Sequence, residues 1–157
     1  MHTVQEVRWI APGEAPGDAF AVRETVFVKE QGFSLEIELD EIDAVAHHVV
    51  LYEEGRPVAC GRLFADPQMG GNTYHVGRVA VLRPLRGTGL GRRVMEEIER
   101  KTRALRADRL VLGAQCRAQD FYKKLGYTPF GEVFMDEHCE HIHMEKWLSN
   151  GPELCIL

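Results

Sequence analysis

The sequence lacks the marks of most special classes. Its four cysteines, Cys60, Cys116, Cys139 and Cys155, show no C-x-x-C spacing. Neither a disulfide framework nor a thiolate metal site is indicated, and reduced thiols in the cytoplasm are expected. The opening MHTVQEVRWI has no basic stretch followed by an apolar one, and no later run approaches the length of a membrane span. A soluble, cytoplasmic protein without a membrane partner is the expectation. The final Cys-Ile-Leu is one residue short of a prenylation box. A broad basic surface is missing as well: the net charge is −5 and the pI is near 5.8, which argues against nucleic-acid binding. There is no internal repeat, no low-complexity tract and no linker long enough to separate two domains. The 157 residues, 45% hydrophobic and 27% charged, therefore suit one globular domain with a sizeable core. That domain is expected over residues 1–148, with 149–157 as a tail of turn composition.

What is present is concentrated in one stretch. The apolar run Val76–Leu82 leads into Arg-Pro-Leu-Arg, then Gly87, Gly89 and Gly91 at alternate positions. A helical pattern follows, with Leu90, Val94, Ile98 and Leu105 on one face. A strand feeding a glycine turn that opens a helix is a ready anion site. The first helical N–H groups have no partner in the chain, the helix dipole is positive there, and glycine lets a phosphate approach the backbone. Between Val76 and Met95 there are five arginines and no acidic residue, in a chain of net negative charge. A bound polyanion of small-molecule size is implied. No Lys-Ser/Thr pair follows Gly91, which excludes a P-loop, and the Gly-x-Gly-x-Gly spacing does not match the dinucleotide fingerprint. The pattern met is Arg/Gln-x-x-Gly-x-Gly/Ala, as Arg86-Gly-Thr-Gly89-Leu-Gly91.

In chain order, Thr3–Ile10 suits an opening strand and Ala11–Gly17 a turn. Asp18 is placed to cap a helix running to about Gln31, with Ala19, Val22 and Val26 along one stripe and Gly32 as its stop. Phe33–Ala46 carries Glu36, Glu38, Asp40, Glu41 and Asp43 with no basic residue. His48–Glu53 and Pro57–Ala65 form a hairpin pattern around Glu54-Gly55-Arg56. After the glycine-rich loop Asp66–Thr73 come the central strand, turn and helix, the last ending near Arg106. Arg109–Ala114 suits a buried strand, Arg117–Leu125 a helix closed by Gly126, and Tyr127–Phe134 and His141–Trp147 two final strands. The order β-α-ββ-β-α-β-α-ββ implies a mixed α/β sheet flanked by helices.

At Arg86–Gly91 the sequence resembles the GNAT superfamily, the GCN5-related N-acetyltransferases, whose pyrophosphate loop has this form and binds coenzyme A. A second signature lies downstream: Ala118-Gln-Asp-Phe121-Tyr122-Lys-Lys-Leu-Gly126-Tyr127 is similar to the family's A-x-x-F-Y-x-K-x-G-F helix. Ala118, Phe121, Tyr122 and Leu125 share one helical face, so spacing alone favours a core aromatic at Tyr122, and the two motifs together favour the family role. A third stretch, Arg23-Glu-Thr-Val-Phe27-Val-Lys-Glu30-Gln31 with Glu38-Leu-Asp40-Glu41 and Asp43-x-x-x-x-His48, resembles the ElaA-like branch, as do Ala114-Gln115 and His141-Ile-His-Met. Arg-x-x-Val-Phe is also similar to acyl-homoserine-lactone synthases, which share the fold, so a donor longer than acetyl stays open. The resemblance covers roughly Val4 to Trp147 and implies a single-domain GNAT fold with a mostly antiparallel mixed sheet.

The resemblance further implies an acetyl-CoA-dependent N-acetyltransferase acting by direct attack in a ternary complex. Val79, Ala80 and Val81 would hold the pantetheine arm, with one backbone N–H facing the thioester oxygen. Arg86, Gly87, Thr88, Gly89, Leu90, Gly91 and Arg92 would hold the pyrophosphate. Gln115 joins the cofactor contacts, and Tyr122 would stand near the sulfur as general acid. A thiol pKa of about 8.5 against about 10 for tyrosine makes that transfer reasonable without a large shift. Direct transfer needs no acyl-enzyme on Cys116. A free alkyl amine is mostly protonated at neutral pH, so a base is required. Glu38 and His48 are the preferred candidates among Glu30, Glu36, Glu38, Asp40, Asp43, His47, His48 and His141. If the acidic segment lines the acceptor entrance, a small cationic amine is favoured; otherwise it is a solvated surface. His138-Cys-Glu-His141-Ile-His143 prompts a metal reading, since His141 and His143 share a strand face, but the family needs no metal and none is expected. A non-catalytic acyl-CoA-binding module is the alternative function, and a homodimer is the assembly held open.

Overall fold

Among the described residues, apolar positions at helical and strand spacing organise seven strands and three α-helices. The computed structural model describes Val4 and residues 6–35, 39–136 and 138–148. The strands are β1 Glu6–Ile10, β2 His47–Glu53, β3 Arg56–Ala65, β4 Thr73–Val81, β5 Arg109–Gln115, β6 Thr128–Asp136 and β7 Cys139–Trp147. The helices are α1 Gly17–Arg23, α2 Leu90–Ala104 and α3 Gln119–Lys124. The element order agrees with the sequence. Hydrogen bonding follows the order β1-β2-β3-β4-β5-β7-β6, a mixed sheet of seven strands. The chain divides into two compact units, Met1–Phe64 with Gly77–Ile98 and Ala65–Val76 with Glu99–Leu157.

In the first unit, β1, β2 and β3 form an antiparallel meander. Glu54 (φ +53°) and Gly55 (φ +75°) are both left-handed, the two-residue turn whose twist matches a β-hairpin. Residues 48–52 of β2 are all buried, so both faces of this strand are covered. The stripe Ala19, Val22 and Val26 packs against Val50, Tyr52, Cys60 and Ala80. Each fully buried valine there contributes about 1.5–3 kcal/mol. On α2, Leu90, Val94, Met95 and Ile98 are buried. Gly61 admits them: a Cβ there would lie 2.8 Å from Ile98 Cδ1 and 3.0 Å from Val94 Cγ1.

Two expectations for the first helix need correction. Asp18 does not cap it; Pro16 is the N-cap, and Asp18 in the first turn accepts the Tyr52 hydroxyl. An acid there still suits the positive helix end. Nor does a regular helix run to Gln31, because from Glu24 to Glu30 the turns widen. The Gln31 N–H reaches the Val26 carbonyl, five residues back, at 3.1 Å. The β-branched Thr25, Val26 and Val28 crowd a tight preceding turn, and the Thr25 hydroxyl donates to the Ala21 carbonyl, a bond that bends helices. Gly32 (φ +80°) then ends the element, as expected.

In the second unit, β4 and β5 pair in parallel over Thr73–His75 and Arg109–Val111. β5 pairs antiparallel with β7 along its whole length, and β7 with β6 across an irregularity between Phe130 and Phe134. Leu110, Leu112, Ala114 and Met144 are buried on one face. The helix expected over Arg117–Leu125 is shorter: a tight turn, Cys116–Ala118, precedes α3, and Gly126 (φ +98°) follows it.

Candidate active site

The glycine turn keeps its expected position between a strand and a helix. Arg78 in β4 is left-handed (φ +51°), a rare state for a non-glycine residue, and its carbonyl accepts from Cys60 Sγ at 3.6 Å. The parallel pairing to β5 spans Thr73–His75, ahead of this kink. Ala80 is buried, while Val79 and Val81 are half-buried. Beyond them the Leu82 N–H donates to the Val58 carbonyl, and Arg83–Leu85 forms a tight turn. Gly87 (φ +81°) and Gly89 (φ +93°) are left-handed, and a Cβ at either would meet no atom within 4 Å. The protein side has room for side chains, so it is the backbone conformation that requires glycine here. Helix α2 starts at Leu90, which leaves its first N–H groups without an i−4 helical acceptor.

The arginines around this turn are mostly compensated. Arg86 is held in three places: Nη1 and Nη2 donate to Glu30 at 2.6 and 2.7 Å, and Nε donates to the Val81 carbonyl at 3.0 Å. Arg78 pairs with Asp40 at 3.3 Å, Arg93 with Glu97 at 3.4 Å and Arg92, more loosely, with Glu96 at 3.7 Å. The anion site implied by the sequence therefore rests on backbone N–H groups more than on guanidinium charge. Arg92 keeps an exposed side chain beside the helix start.

The acidic segment has an unexpected internal structure. Glu36 and Glu38, the latter a preferred base, lie outside the described residues. Asp40 caps a short turn, Glu41–Ala44, through a reciprocal pair of bonds with Asp43. Buried Arg23 donates to Asp43 at 2.7 and 3.1 Å, and buried Arg62 donates to Asp43 at 2.9 Å and to Asp40 at 2.7 Å. Burial pushes the Asp43 carboxyl up, but the bonds and charges of Arg23 and then Arg62 outweigh it and hold it down at about 2. Asp40 is likewise lowered, burial being overcome by Arg62 and Arg78. Both acids are ionised at neutral pH yet fully engaged, so they offer little to a basic acceptor or to proton abstraction. Glu30 is engaged by Arg86 in the same way.

His48, the other preferred base, is 1% exposed on β2, directly opposite Arg62 on β3. Its Nε2 lies 3.0 Å from the Asp43 carbonyl oxygen, so Nε2 carries the proton and Nδ1 the lone pair. Nδ1 is buried with no hydrogen-bond partner. Burial lowers its pKa, keeping the imidazole neutral, as a base must be. A base must also come within hydrogen-bond reach of the amine, which from so buried a position calls for a relay or a movement.

In the second unit, Tyr122 lies in α3 with its ring edge-on to Phe121 (4.9 Å between centroids) and Tyr127 (6.0 Å). Burial pushes the phenol up to about 12. Burial makes the phenol a more reluctant acid than free tyrosine. The phenol is better suited to donating a hydrogen bond to a thiolate than to giving up its proton. Tyr127 is the more buried ring; its hydroxyl donates to Glu99 at 2.9 Å. Gln115 ends β5, and its Oε1 accepts from Arg117 at 2.9 Å. His141 and His143 do share a strand face, but Phe134 stacks on both, at 5.7 and 4.6 Å, and Phe130 stacks on His143 at 5.5 Å. Among the described residues no group of three or more His, Cys, Asp or Glu could hold a metal ion.

The Arg23–Asp43–Arg62–Asp40 network is not evident from the sequence, although two signals point to it. Arg23 lies beside the apolar stripe of α1, and Arg62 sits in the otherwise apolar run of β3. A charge at such positions needs a buried partner.

The strand, glycine turn and helix place the chain in a known class. The family model described as an acetyltransferase (GNAT) domain matches residues 16–148. This chain belongs to the GNAT acetyltransferases. It is 38% identical over 130 residues to the uncharacterized N-acetyltransferase YjcF of Bacillus subtilis, covering 82% of this chain and 90% of that protein. Among solved structures, Escherichia coli ElaA superposes with a TM-score of 0.79 at 26% identity, covering 90% of this chain and 98% of ElaA. An acyl-CoA N-acyltransferase from Pseudomonas aeruginosa gives 0.77 at 26% identity with the same coverages. Family and neighbours imply acyl-CoA binding. Among the described residues, no helix is long and apolar enough to cross a membrane.

Proposed function

We propose that this protein transfers an acetyl group from acetyl-CoA to the primary amine of a small acceptor, by direct attack within a ternary complex. One observation carries the reading: left-handed Gly87 and Gly89 open α2 at the end of β4, a backbone cradle for a pyrophosphate. In this reading Gly87–Arg92 supply N–H groups and the helix end, and the backbone of Val79–Val81 receives the pantetheine arm and polarises the acyl oxygen. The bound thioester supplies the activated acyl group. Tyr122 donates a hydrogen bond to the departing sulfur, and Glu38, or His48 through a relay, takes the amine proton. The acceptor is proposed to be cationic, a preference now resting on Glu36, Glu38 and exposed Glu41, since Asp40 and Asp43 are already paired with arginine. A cytosolic setting fits the free thiols of Cys60, Cys116 and Cys139. A non-catalytic acyl-CoA-binding module is the second reading, and the retained phenol of Tyr122 weighs against it, because binding CoA does not require one.

Binding is tested by melting the protein with increasing CoA. A ligand that binds only the folded state stabilises it by about 2.7 kcal/mol at 100 times its dissociation constant. A rise in Tm of several degrees is expected, with dephospho-CoA giving less if Arg92 meets the 3′-phosphate. No shift at millimolar CoA would remove the reading.

A further inference from the structure

We infer that Glu30 is a positioning residue for the pyrophosphate-binding turn, acting through Arg86; the inference rests on the acyl-CoA reading above. Arg86 is the first residue of the Arg-x-x-Gly-x-Gly pattern, and its side chain is committed inward. Two short, parallel bonds tie it to Glu30 at the end of the widened helix, and its Nε ties it to the last carbonyl of β4 at Val81. Its own N–H donates to the Arg83 carbonyl at 3.2 Å. Each of the three guanidinium nitrogens therefore donates to the protein. What Arg86 delivers to the ligand is the path of the chain that follows it: extended backbone at Arg86 itself, then left-handed Gly87 and Gly89. A two-toothed guanidinium–carboxylate bond fixes direction as well as distance. Glu30 thus sets where the N–H groups of the turn point, although it lies 56 residues away in sequence.

The sign of one substitution separates this role from the alternatives. Removing a carboxylate near an anion site would, by charge alone, tighten CoA binding, and so would release of an Arg86 that Glu30 merely holds back. Loss of a positioning contact weakens binding instead, and only for ligands that carry the pyrophosphate. Glu30→Gln is expected to raise the calorimetric Kd for CoA five- to tenfold and to leave that for acetyl-pantetheine, which has no pyrophosphate, unchanged. Arg86→Met, which removes every side-chain donor, should do the same, and the double variant should be no weaker than the weaker single one, since residues acting through each other are not additive. The pair is partly exposed, with side chains 38% and 22% accessible, so Tm should barely move. Unchanged or tighter CoA binding in Glu30→Gln, or equal weakening for both ligands, would overturn the inference while leaving the acyl-CoA reading intact. Should Glu30→Gln fail to fold, Glu30→Asp, which keeps the charge but cannot reach Arg86 in the same geometry, decides the matter with the same two ligands. Weaker binding of CoA alone supports positioning, and unchanged binding overturns it. A wild-type protein that does not bind CoA removes the underlying reading, and the inference with it.

Discussion

Tyr122→Phe is expected to lower kcat by about 10- to 100-fold while acetyl-CoA affinity stays within about threefold. The magnitude follows from the state of the phenol. With its pKa near 12 the hydroxyl is protonated throughout any practical assay range, so it is available as a donor but reluctant as an acid. A hydrogen bond to a charged group is worth about 1.5–3 kcal/mol, and negative charge on the sulfur develops only as the bond to the acyl carbon breaks. The contribution therefore falls on the transition state and appears in kcat rather than in binding. Substitution by Phe keeps the ring and its edge contacts to Phe121 and Tyr127. Folding should accordingly be near normal. Single-turnover acetyl transfer beside calorimetry on the same preparation checks this. Wild-type turnover would return Tyr122 to a packing role and leave the sulfur to solvent.

The largest loss of stability should come from Asp43→Ala. Asp43 carries two bonds from Arg23 and one from Arg62, with side-chain exposures of 7%, 1% and 5% respectively. Deleting the carboxylate removes the acid that both arginines share in the core of the first unit. Breaking such a buried pair from one side costs about 3–5 kcal/mol, or on the order of 10 °C in Tm for a chain of this size. The same pair sets an acid limit. The folded-state pKa of Asp43 is depressed to about 2 from 3.8, so its contribution is present above about pH 4 and is lost as pH falls through 2. Wild type should lose stability steeply in that window, and Asp43→Ala, already without the contribution, more shallowly. Melting curves from pH 6 to pH 2 measure both effects. A variant melting within two degrees of wild type would show that water, not Asp43, satisfies the two arginines.

Much of this arrangement was legible in the sequence because it depends on local rules. The stripe Ala19, Val22 and Val26, the hairpin at Glu54-Gly55 and the strand–turn–helix around Gly89 each follow from periodicity or from a residue able to adopt positive φ. What escaped was decided by partners distant in the chain. Asp40, Asp43 and Arg86 looked like free charges because nothing near them in sequence neutralises them; Arg62, Arg23 and Glu30 do so only after folding. The widened helix at Glu24–Glu30 was hidden for a related reason, since its apolar spacing is nearly that of a regular helix. The left-handed Arg78 carries no sequence signal, as it is neither Gly nor Asn.

Acyl transfer itself is tested by free-thiol release from acetyl-CoA against a panel of primary amines, with mass analysis of the amine. The panel should include polyamines, lysine-like amines and aminoglycosides, together with neutral amines as controls. Thiol release should depend on the amine, be greatest for cationic members and be matched by one acetyl group gained per thiol released. CoA binding with no amine-dependent release across the panel would contradict acyl transfer and favour the non-catalytic binding module.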